Sequence, residues 1–244
     1  MSRWPKLVMI LSALLVAVAC AGAEDADTVA DSSVAATEAT RQVAGGGIAA
    51  EGWLGRIDAN EARDGATLEQ ARLEQRGDSL VVTTGPAVVY WHPANTATGD
   101  YTVSATFHEP QYMNVNDHAH PYGLFIGGSA MGTDQQSMLY CAAYGNGRFI
   151  VRGFGPESFQ LNGRGEEHQA VNRAAGRNQP VTQQIALSVR GDSVSCAING
   201  TTVGSYPRST IVTEGRLDST DGIYGIRFGH NTDAIVTGLT TSMP

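Results

Sequence analysis

The sequence is poor in lysine, in aromatic residues and in charge. Lys6 is the single lysine among 244 residues, 16 % of the residues are charged and 7 % are aromatic. The basic residues that remain are scattered arginines, and the formal net charge is −8. Such a surface does not neutralise phosphate groups, which argues against nucleic acid as a partner and against an electrostatic contact with an anionic membrane.

Long hydrophobic runs are also missing, apart from one near the amino terminus. Residues 7–19 are predominantly apolar and follow the basic residues Arg3 and Lys6. A run of this length is shorter than the ~20 residues of a transmembrane helix but typical of the core of a signal peptide. We therefore predict that residues 1–19 are a signal peptide.

The end of this run carries a more specific signal. Ala-Val-Ala at 17–19 precedes Cys20, and this arrangement resembles the lipobox of bacterial lipoproteins, whose cysteine becomes the first residue and carries lipid. The resemblance implies lipidation of Cys20 and a place in the bacterial cell envelope, periplasmic or surface-exposed, with membrane contact through the lipid only. An ordinary secretory signal is the alternative.

The composition changes twice after the signal. Residues 20–50 are rich in Ala, Thr, Asp, Glu and Gly and hold few large apolar side chains. Such a segment cannot bury enough surface to offset its ordering entropy, so it is predicted to be a disordered tether. Residues 51–244 have a length that suits one large β domain.

Helical periodicity is absent from most of this domain, whereas strand signals recur. Apolar and polar residues alternate over 101–107, and residues 121–152 read as three strands in succession, with a tight-turn signal at Gly145-Asn146-Gly147. Similar strands separated by glycine-containing turns follow to the carboxyl terminus. This pattern predicts an all-β protein, a two-sheet antiparallel β-sandwich of the jelly-roll type.

Cysteine is scarce, with three in the chain. If Cys20 carries lipid, Cys141 and Cys196 remain as a pair in an oxidising compartment. Both occupy inward-facing phases of predicted strands, so they could form a disulfide or remain two buried free thiols.

Five segments carry a family resemblance: residues 122–128, 134–140, 145–151, 194–200 and 221–231. Together they resemble the core of concanavalin A-like lectin/glucanase sandwiches and, more narrowly, are similar to the bacterial group of 3-keto-disaccharide hydrolase or laminin G-like domains. The resemblance implies the sandwich scaffold and a glycan or small saccharide as the ligand. It does not specify an active site.

Paired carboxylates of the kind used by glucanases are missing. No Glu-x-Asp-x-x-Glu strand motif occurs, and the nearest candidate pair is Glu109 with Asp117. We therefore expect a glycan-binding or structural module more than an enzyme. One alternative is a hydrolase of 3-keto or other disaccharides that uses Glu109, Asp117, His118 and His120; another is a structural envelope lipoprotein that binds protein.

The same polar cluster offers the ligand types of a metal site. His118 and His120, two residues apart, and the adjacent Asp117 could bind a transition metal or, through carboxylate oxygens, calcium. A solvated loop without a metal is the simpler interpretation, and no other cofactor is predicted.

Saccharide binding requires aromatic rings for the C–H faces of a sugar and planar polar groups for its hydroxyls. The candidates that combine these chemistries near strand ends and loops are Trp91, His92, Tyr122, Asp134, Gln135, Arg148, Arg152 and Asn231.

Overall fold

The computed structural model describes Met1 and residues 40–163 and 165–243. The rest of the predicted signal peptide, Cys20 and the first part of the predicted tether lie outside the described residues. Within the described residues, no helix has the length and apolar character needed to span a bilayer.

In the described part of the chain, strands dominate and helices are short. The helix α1 is Ala59–Arg63, and two 3₁₀ turns cover Leu68–Gln70 and Arg208–Thr210. The strands are β1 (Gly47–Ala49), β2 (Leu54–Ile57), β3 (Ala71–Arg76), β4 (Ser79–Thr84), β5 (Val88–Ala97), β6 (Tyr101–Glu109), β7 (Tyr122–Ser129), β8 (Ser137–Ala143), β9 (Arg148–Phe154), β10 (Phe159–Gln160), β11 (Glu166–Glu167), β12 (Val181–Arg190), β13 (Ser193–Ile198), β14 (Thr201–Pro207), β15 (Gly222–Phe228) and β16 (Asp233–Ser242).

The strands form two sheets. Sheet A has the order β1-β3-β4-β16-β6-β12-β13-β14, and sheet B has the order β10-β9-β8-β7-β15-β5-β2, with β11 also paired to β9. Apart from the parallel pairing of β1 with β3, the described strands pair antiparallel. The predicted fold class, a two-sheet antiparallel β-sandwich, is confirmed.

The main core lies between the two sheets and follows the alternation of the sequence. Along β6, each odd-numbered residue from Tyr101 to Glu109 is buried, and each residue between them is half-buried. Phe107 of sheet A stacks on Tyr122 of sheet B, with ring centroids 5.8 Å apart. Because side chains of a strand alternate between faces, one face of β6 builds this core and the other faces solvent.

The central strands of sheet B are buried on both faces. Every residue of β8 is buried, and so is every residue of β7 except its last. Leu124 belongs to the main core, whereas its neighbour Phe125 belongs to a second hydrophobic cluster. Sheet B therefore carries an apolar surface on the side away from sheet A.

A disulfide joins the two sheets across the core. Cys141 of β8 is bonded to Cys196 of β13, with the Cα atoms 6.3 Å apart. Both cysteines are fully buried. The bond closes a loop across 55 residues and fixes sheet B against sheet A.

The predicted tether boundary at residue 50 is wrong for residues 40–50, because this segment belongs to the sandwich. Strand β1 pairs in parallel with residues 72–74 of β3. The guanidinium of Arg41 donates to both carboxylate oxygens of Asp233, at 2.7 and 3.0 Å, and to the carbonyl oxygen of Thr84 at 2.7 Å. The segment has few large apolar residues, and it is held instead by an ion pair and by backbone pairing, which apolar content does not reveal.

Candidate functional site

The surface of sheet B that points away from sheet A, here called the outer face, has an unusual composition. A solvent-facing sheet surface is normally polar, but this one carries a second hydrophobic cluster. Its buried members are Val89, Trp91, Phe125, Met138, Tyr140, Ala142 and Ile150.

One end of the outer face is covered by the loop 130–136. Met131 packs against the hydrophobic cluster, and Gly132 lies so close to the indole of Trp91 that a Cβ on it would be 3.5 Å from the ring. The carboxylate of Asp134 accepts from the guanidinium of Arg56 on β2 at 2.6 Å. Trp91, a predicted ligand-binding residue, is only 4 % exposed, so its ring is buried in this cluster and offers no open face to a sugar.

Rings and guanidinium groups mix on the outer face where β8 and β9 pair. Tyr140 stacks on Phe154 with centroids 5.8 Å apart. The guanidinium of Arg152 lies 5.4 Å from the centroid of the Phe154 ring, and that of Arg227 lies 5.8 Å from Tyr140 and 5.7 Å from Phe154. Tyr140 and Arg227 are buried, whereas Arg152 and Phe154 are half-buried. Cation–π contacts of this kind hold the arginines over the rings.

Arg227 is a buried cation with a carboxylate partner. It is 7 % exposed, donates to Oδ2 of Asp58 at 2.5 Å and donates to the carbonyl oxygen of Phe228 at 2.8 Å. Burial of an unpaired charge is costly, so Asp58 is what allows a guanidinium at this position.

A cluster of three histidines lies at the end of the sheet next to this ion pair. Strands β7 and β15 are paired up to Tyr122 and Phe228, and the N–H of Gly229 donates to the carbonyl oxygen of Pro121 at 2.7 Å. Continuing that register by one more place sets His120 opposite His230. Their ring centroids are 4.1 Å apart, and His118 lies 4.4 Å from His120. We call these three residues the histidine cluster.

A glycine makes the close approach at this corner possible. A Cβ on Gly229 would lie 3.0 Å from the Cβ of His120 and 2.9 Å from Cδ of Pro121. Contacts this short force one of the neighbours to move, so a side chain at 229 would push the histidines apart.

The two loops that carry the histidines are tied to each other. Asn114 donates to the carboxylate of Asp233 at 3.0 Å, and the side chain of Asn116 donates to the carbonyl oxygen of Asn231 at 3.0 Å. The guanidinium of Arg177 donates to the carbonyl oxygen of Asn116 at 2.6 Å. These bonds set the distance between loop 110–120 and the turn at 230–232.

The protonation of the cluster follows from its burial. Burial, together with the neighbouring His230 and His118, lowers the pKa of His120 to about 2. Burial also lowers the pKa of His230, with a smaller effect from His118. Both imidazoles are therefore neutral at neutral pH. Nδ1 of His118 lies 2.5 Å from Oδ1 of Asp117.

Glu109 does not join the other three candidate catalytic residues. Its side chain faces the core at the end of β6, where burial raises the pKa of Glu109 to about 7 against the opposing effects of the Met113 N–H and the Tyr122 hydroxyl. Asp117, in contrast, is exposed and lies beside His118. The structure thus brings Asp117, His118 and His120 together and leaves Glu109 in the interior.

Two of the residues predicted to bind ligand are structural. Tyr122 is fully buried in the main core because it lies in the inward phase of β7, so its predicted role in ligand binding is wrong. Asn231 is 3 % exposed, and its side-chain oxygen accepts from the N–H of Arg41 at 2.9 Å. It adopts a positive φ of 52°, a conformation that asparagine tolerates well.

The remaining predicted residues are dispersed. His92 packs edge-on against Trp53 with centroids 6.3 Å apart, away from the histidine cluster. Gln135 is exposed on the loop 130–136. Arg148 is exposed, and its Nε donates to Glu167 at 3.4 Å. Of the whole predicted set, only Arg152 lies over the aromatic part of the outer face that remains open.

His230, Asp58 and Arg227 were missed as site residues. They lie far from 117–120 along the chain, so the pairing of β7 with β15 and of β15 with β5 is needed to bring them there. A signal was nonetheless present, since a His-x-His before one strand and a histidine just after another can meet at the same end of an antiparallel pair.

Comparisons with known proteins support the fold alone. No family model and no curated protein matches the chain. A Bacillus subtilis protein of unknown function with a galectin-like fold is similar in structure, at 10 % identity and a TM-score of 0.50, over 78 % of this chain and 89 % of that one. The endo-β-1,3-glucanase of Pyrococcus furiosus is also similar in structure, at 11 % identity and a TM-score of 0.48, over 79 % of this chain and 88 % of that one. So is the carbohydrate-binding module CBM66 of Bacillus subtilis, at 11 % identity and a TM-score of 0.41, over 80 % of this chain and 98 % of that one.

The sandwich fold that the sequence resemblance implies is therefore confirmed. The narrower similarity to the 3-keto-disaccharide hydrolase group, like the lipoprotein signal, stays a prediction.

Proposed function

We propose that this protein is a saccharide-binding β-sandwich module whose ligand lies on the outer face of sheet B, over β8 and β9. The observation that carries the proposal is the mixture of rings and guanidinium groups there, with Phe154 and Arg152 half-buried and therefore reachable from solvent. Sugar C–H faces pack on aromatic rings, and sugar hydroxyls bind planar polar groups.

The dimensions of this surface suit a ligand longer than one sugar ring. Tyr144 is also half-buried and lies four residues from Tyr140 along the same strand direction, a distance of about 13 Å at ~3.3 Å per residue. Arg152 and Arg148 lie on the neighbouring strand, opposite Tyr140 and Tyr144 respectively. An oligosaccharide could therefore contact a ring and a guanidinium group at each end of this span.

Conventional retaining hydrolysis has less support. That mechanism requires two carboxyl groups about 5 Å apart that both face the substrate. The carboxyl group of Glu109 faces the core, whereas that of Asp117 is exposed at the edge of the sandwich. Binding without cleavage is the function that this arrangement favours.

The test is a glycan array followed by calorimetric titration with the best saccharide. The variants Phe154→Ala and Arg152→Ala should each weaken binding by about tenfold, equivalent to ~1.4 kcal/mol. Arg190→Ala removes an exposed arginine of sheet A and should leave the affinity unchanged. A wild-type protein that binds no saccharide on the array, or equal affinities for all variants, contradicts the proposal.

The setting of this module is also part of the proposal: lipid on Cys20 would hold it in the bacterial cell envelope. The support is the sequence signal alone, the apolar run 7–19 followed by Ala-Val-Ala-Cys. Mass spectrometry of the mature amino terminus tests it, since an unmodified amino terminus that does not begin at Cys20 contradicts lipidation.

A further inference from the structure

We propose that the histidine cluster, His118, His120 and His230, binds a divalent transition metal ion, Zn²⁺ or Cu²⁺, through three imidazole nitrogens. The inference is independent of saccharide binding. It starts from distance, because one ligand atom from each of the three side chains lies within 4.8 Å of the other two. Three nitrogens bound to one tetrahedral zinc at ~2.1 Å lie about 3.4 Å apart. Small side-chain rotations are enough to close that difference.

The chemistry of the donor set selects the class of ion. Imidazole nitrogen suits zinc, copper and nickel, whereas calcium and magnesium require oxygen ligands. The three side chains offer nitrogen only, so the structure gives no support for calcium at this position.

The neighbour of His118 favours ligation through one particular nitrogen. The side chain of Asp117 is 72 % exposed, and its Oδ1 lies 2.5 Å from Nδ1 of His118. With Nδ1–H donating to this carboxylate, Nε2 is the nitrogen that would ligate a metal ion. A carboxylate that orients a histidine in this way is a common partner of metal-binding imidazoles.

The positive charge beside the cluster is already paired with a carboxylate. The guanidinium of Arg227 is bound to the carboxylate of Asp58 at 2.5 Å. This carboxylate reduces the electrostatic repulsion between Arg227 and a metal cation bound by the histidine cluster.

The backbone around the cluster supports a preformed site. Loop 110–120 and the turn at 230–232 are joined by the bonds of Asn114 and Asn116, and Arg41 holds Asp233 from the other side. The three histidines thus come from two loops whose separation is fixed before any ion arrives. Preorganisation of this kind reduces the ordering cost of binding.

Among the described residues, three side chains offer ligand atoms to a metal ion, and a tetrahedral site takes four. Structural zinc sites usually have four protein ligands, whereas sites with three keep a place for water or another molecule. The side chain of His118 is 39 % exposed, so the cluster is reachable from solvent.

The experiment uses the full chain, stripped with a chelator and titrated with Zn²⁺ alone, followed by elemental analysis after dialysis. One zinc per chain is expected. His118→Ala and His230→Ala should each weaken zinc binding at least 100-fold, and Asp117→Asn should weaken it 10- to 100-fold. His108→Ala is the matched control, since this half-buried histidine bonds to Thr182 on sheet A and does not belong to the cluster.

Two readouts keep the test decisive if a variant folds poorly. The side chain of His118 is 39 % exposed, and circular dichroism of each variant identifies those that keep the fold. The absorption spectrum of the Co²⁺-loaded protein reports the coordination geometry, and a tetrahedral spectrum that is lost in His230→Ala supports the site. A wild-type chain that retains neither Zn²⁺ nor Cu²⁺ refutes it, as does equal zinc affinity in wild type, His118→Ala and His230→Ala.

Discussion

The carboxyl group of Glu109 should make the protein less stable at alkaline pH than at acidic pH. It lies in the interior between the sheets, and burial raises the pKa of Glu109 from its ordinary value of 4.5 to about 7. In the unfolded chain the same group ionises near 4.5. Between these two pH values the folded protein binds more protons than the unfolded one, so the free energy of unfolding falls as the pH rises.

The size of the effect follows from the displacement of the pKa. Below pH 4.5 the carboxyl group is protonated in both states and has no effect. Above pH 7 it is ionised in both, and the cost of the buried charge reaches about 3 kcal/mol. Glu109→Gln removes the charge and keeps the shape of the side chain. The free energy of unfolding of the variant, relative to that of wild type, should therefore increase by about 3 kcal/mol from pH 4 to pH 8.

Urea unfolding, followed by the fluorescence of the buried Trp91, measures this difference at each pH. Any constant effect of the amide cancels, because only the change with pH is compared. Glu51→Gln, at an exposed position, is the control and should show no pH-dependent gain. A difference between Glu109→Gln and wild type that stays constant from pH 4 to pH 8 would refute the reasoning.

Two further predictions concern the links that hold the sandwich together. The free energy of unfolding of the double variant Cys141→Ala, Cys196→Ala, measured with urea, should be about 4 kcal/mol lower than that of wild type, because the bond closes a loop across 55 residues in the unfolded chain. If a reductant does not destabilise the wild-type protein, this prediction is contradicted. Asp58→Ala should lower the free energy of unfolding by about 3 kcal/mol, because it leaves the guanidinium of Arg227 buried without its carboxylate. Glu74→Ala breaks an ion pair at the surface and should have no measurable effect on stability. Equal effects of these two substitutions in thermal unfolding would be the contrary result.

Sheet A was readable from the sequence because its strands have one buried face. The alternation over β6 shows directly which side chains enter the core, and the inward phase of Cys196 in β13 agrees with the bond that the structure contains. Physical periodicity is a reliable guide whenever the two faces of a strand meet different surroundings.

The central strands of sheet B gave no such guidance. Because β7 and β8 are buried on both faces, their sequences are continuously apolar, and nothing in them separates Tyr122, which faces the core, from Phe125, which faces outward. The ligand-binding prediction therefore included Tyr122. The order of the strands was also hidden, so His230 could not be assigned to the site of His118.

The core and the histidine cluster depend on one feature, the register of β7 against β15. Side chains alternate with a period of two, so a slip of one residue would turn Phe228 outward and drive Arg227 into the main core. The same slip would separate His120 from His230, which the present register sets opposite each other. A buried charge makes the slipped arrangement costly. Packing alone thus selects the register that assembles the cluster, and a site at this corner requires no stabilisation of its own beyond the bonds that join its two loops.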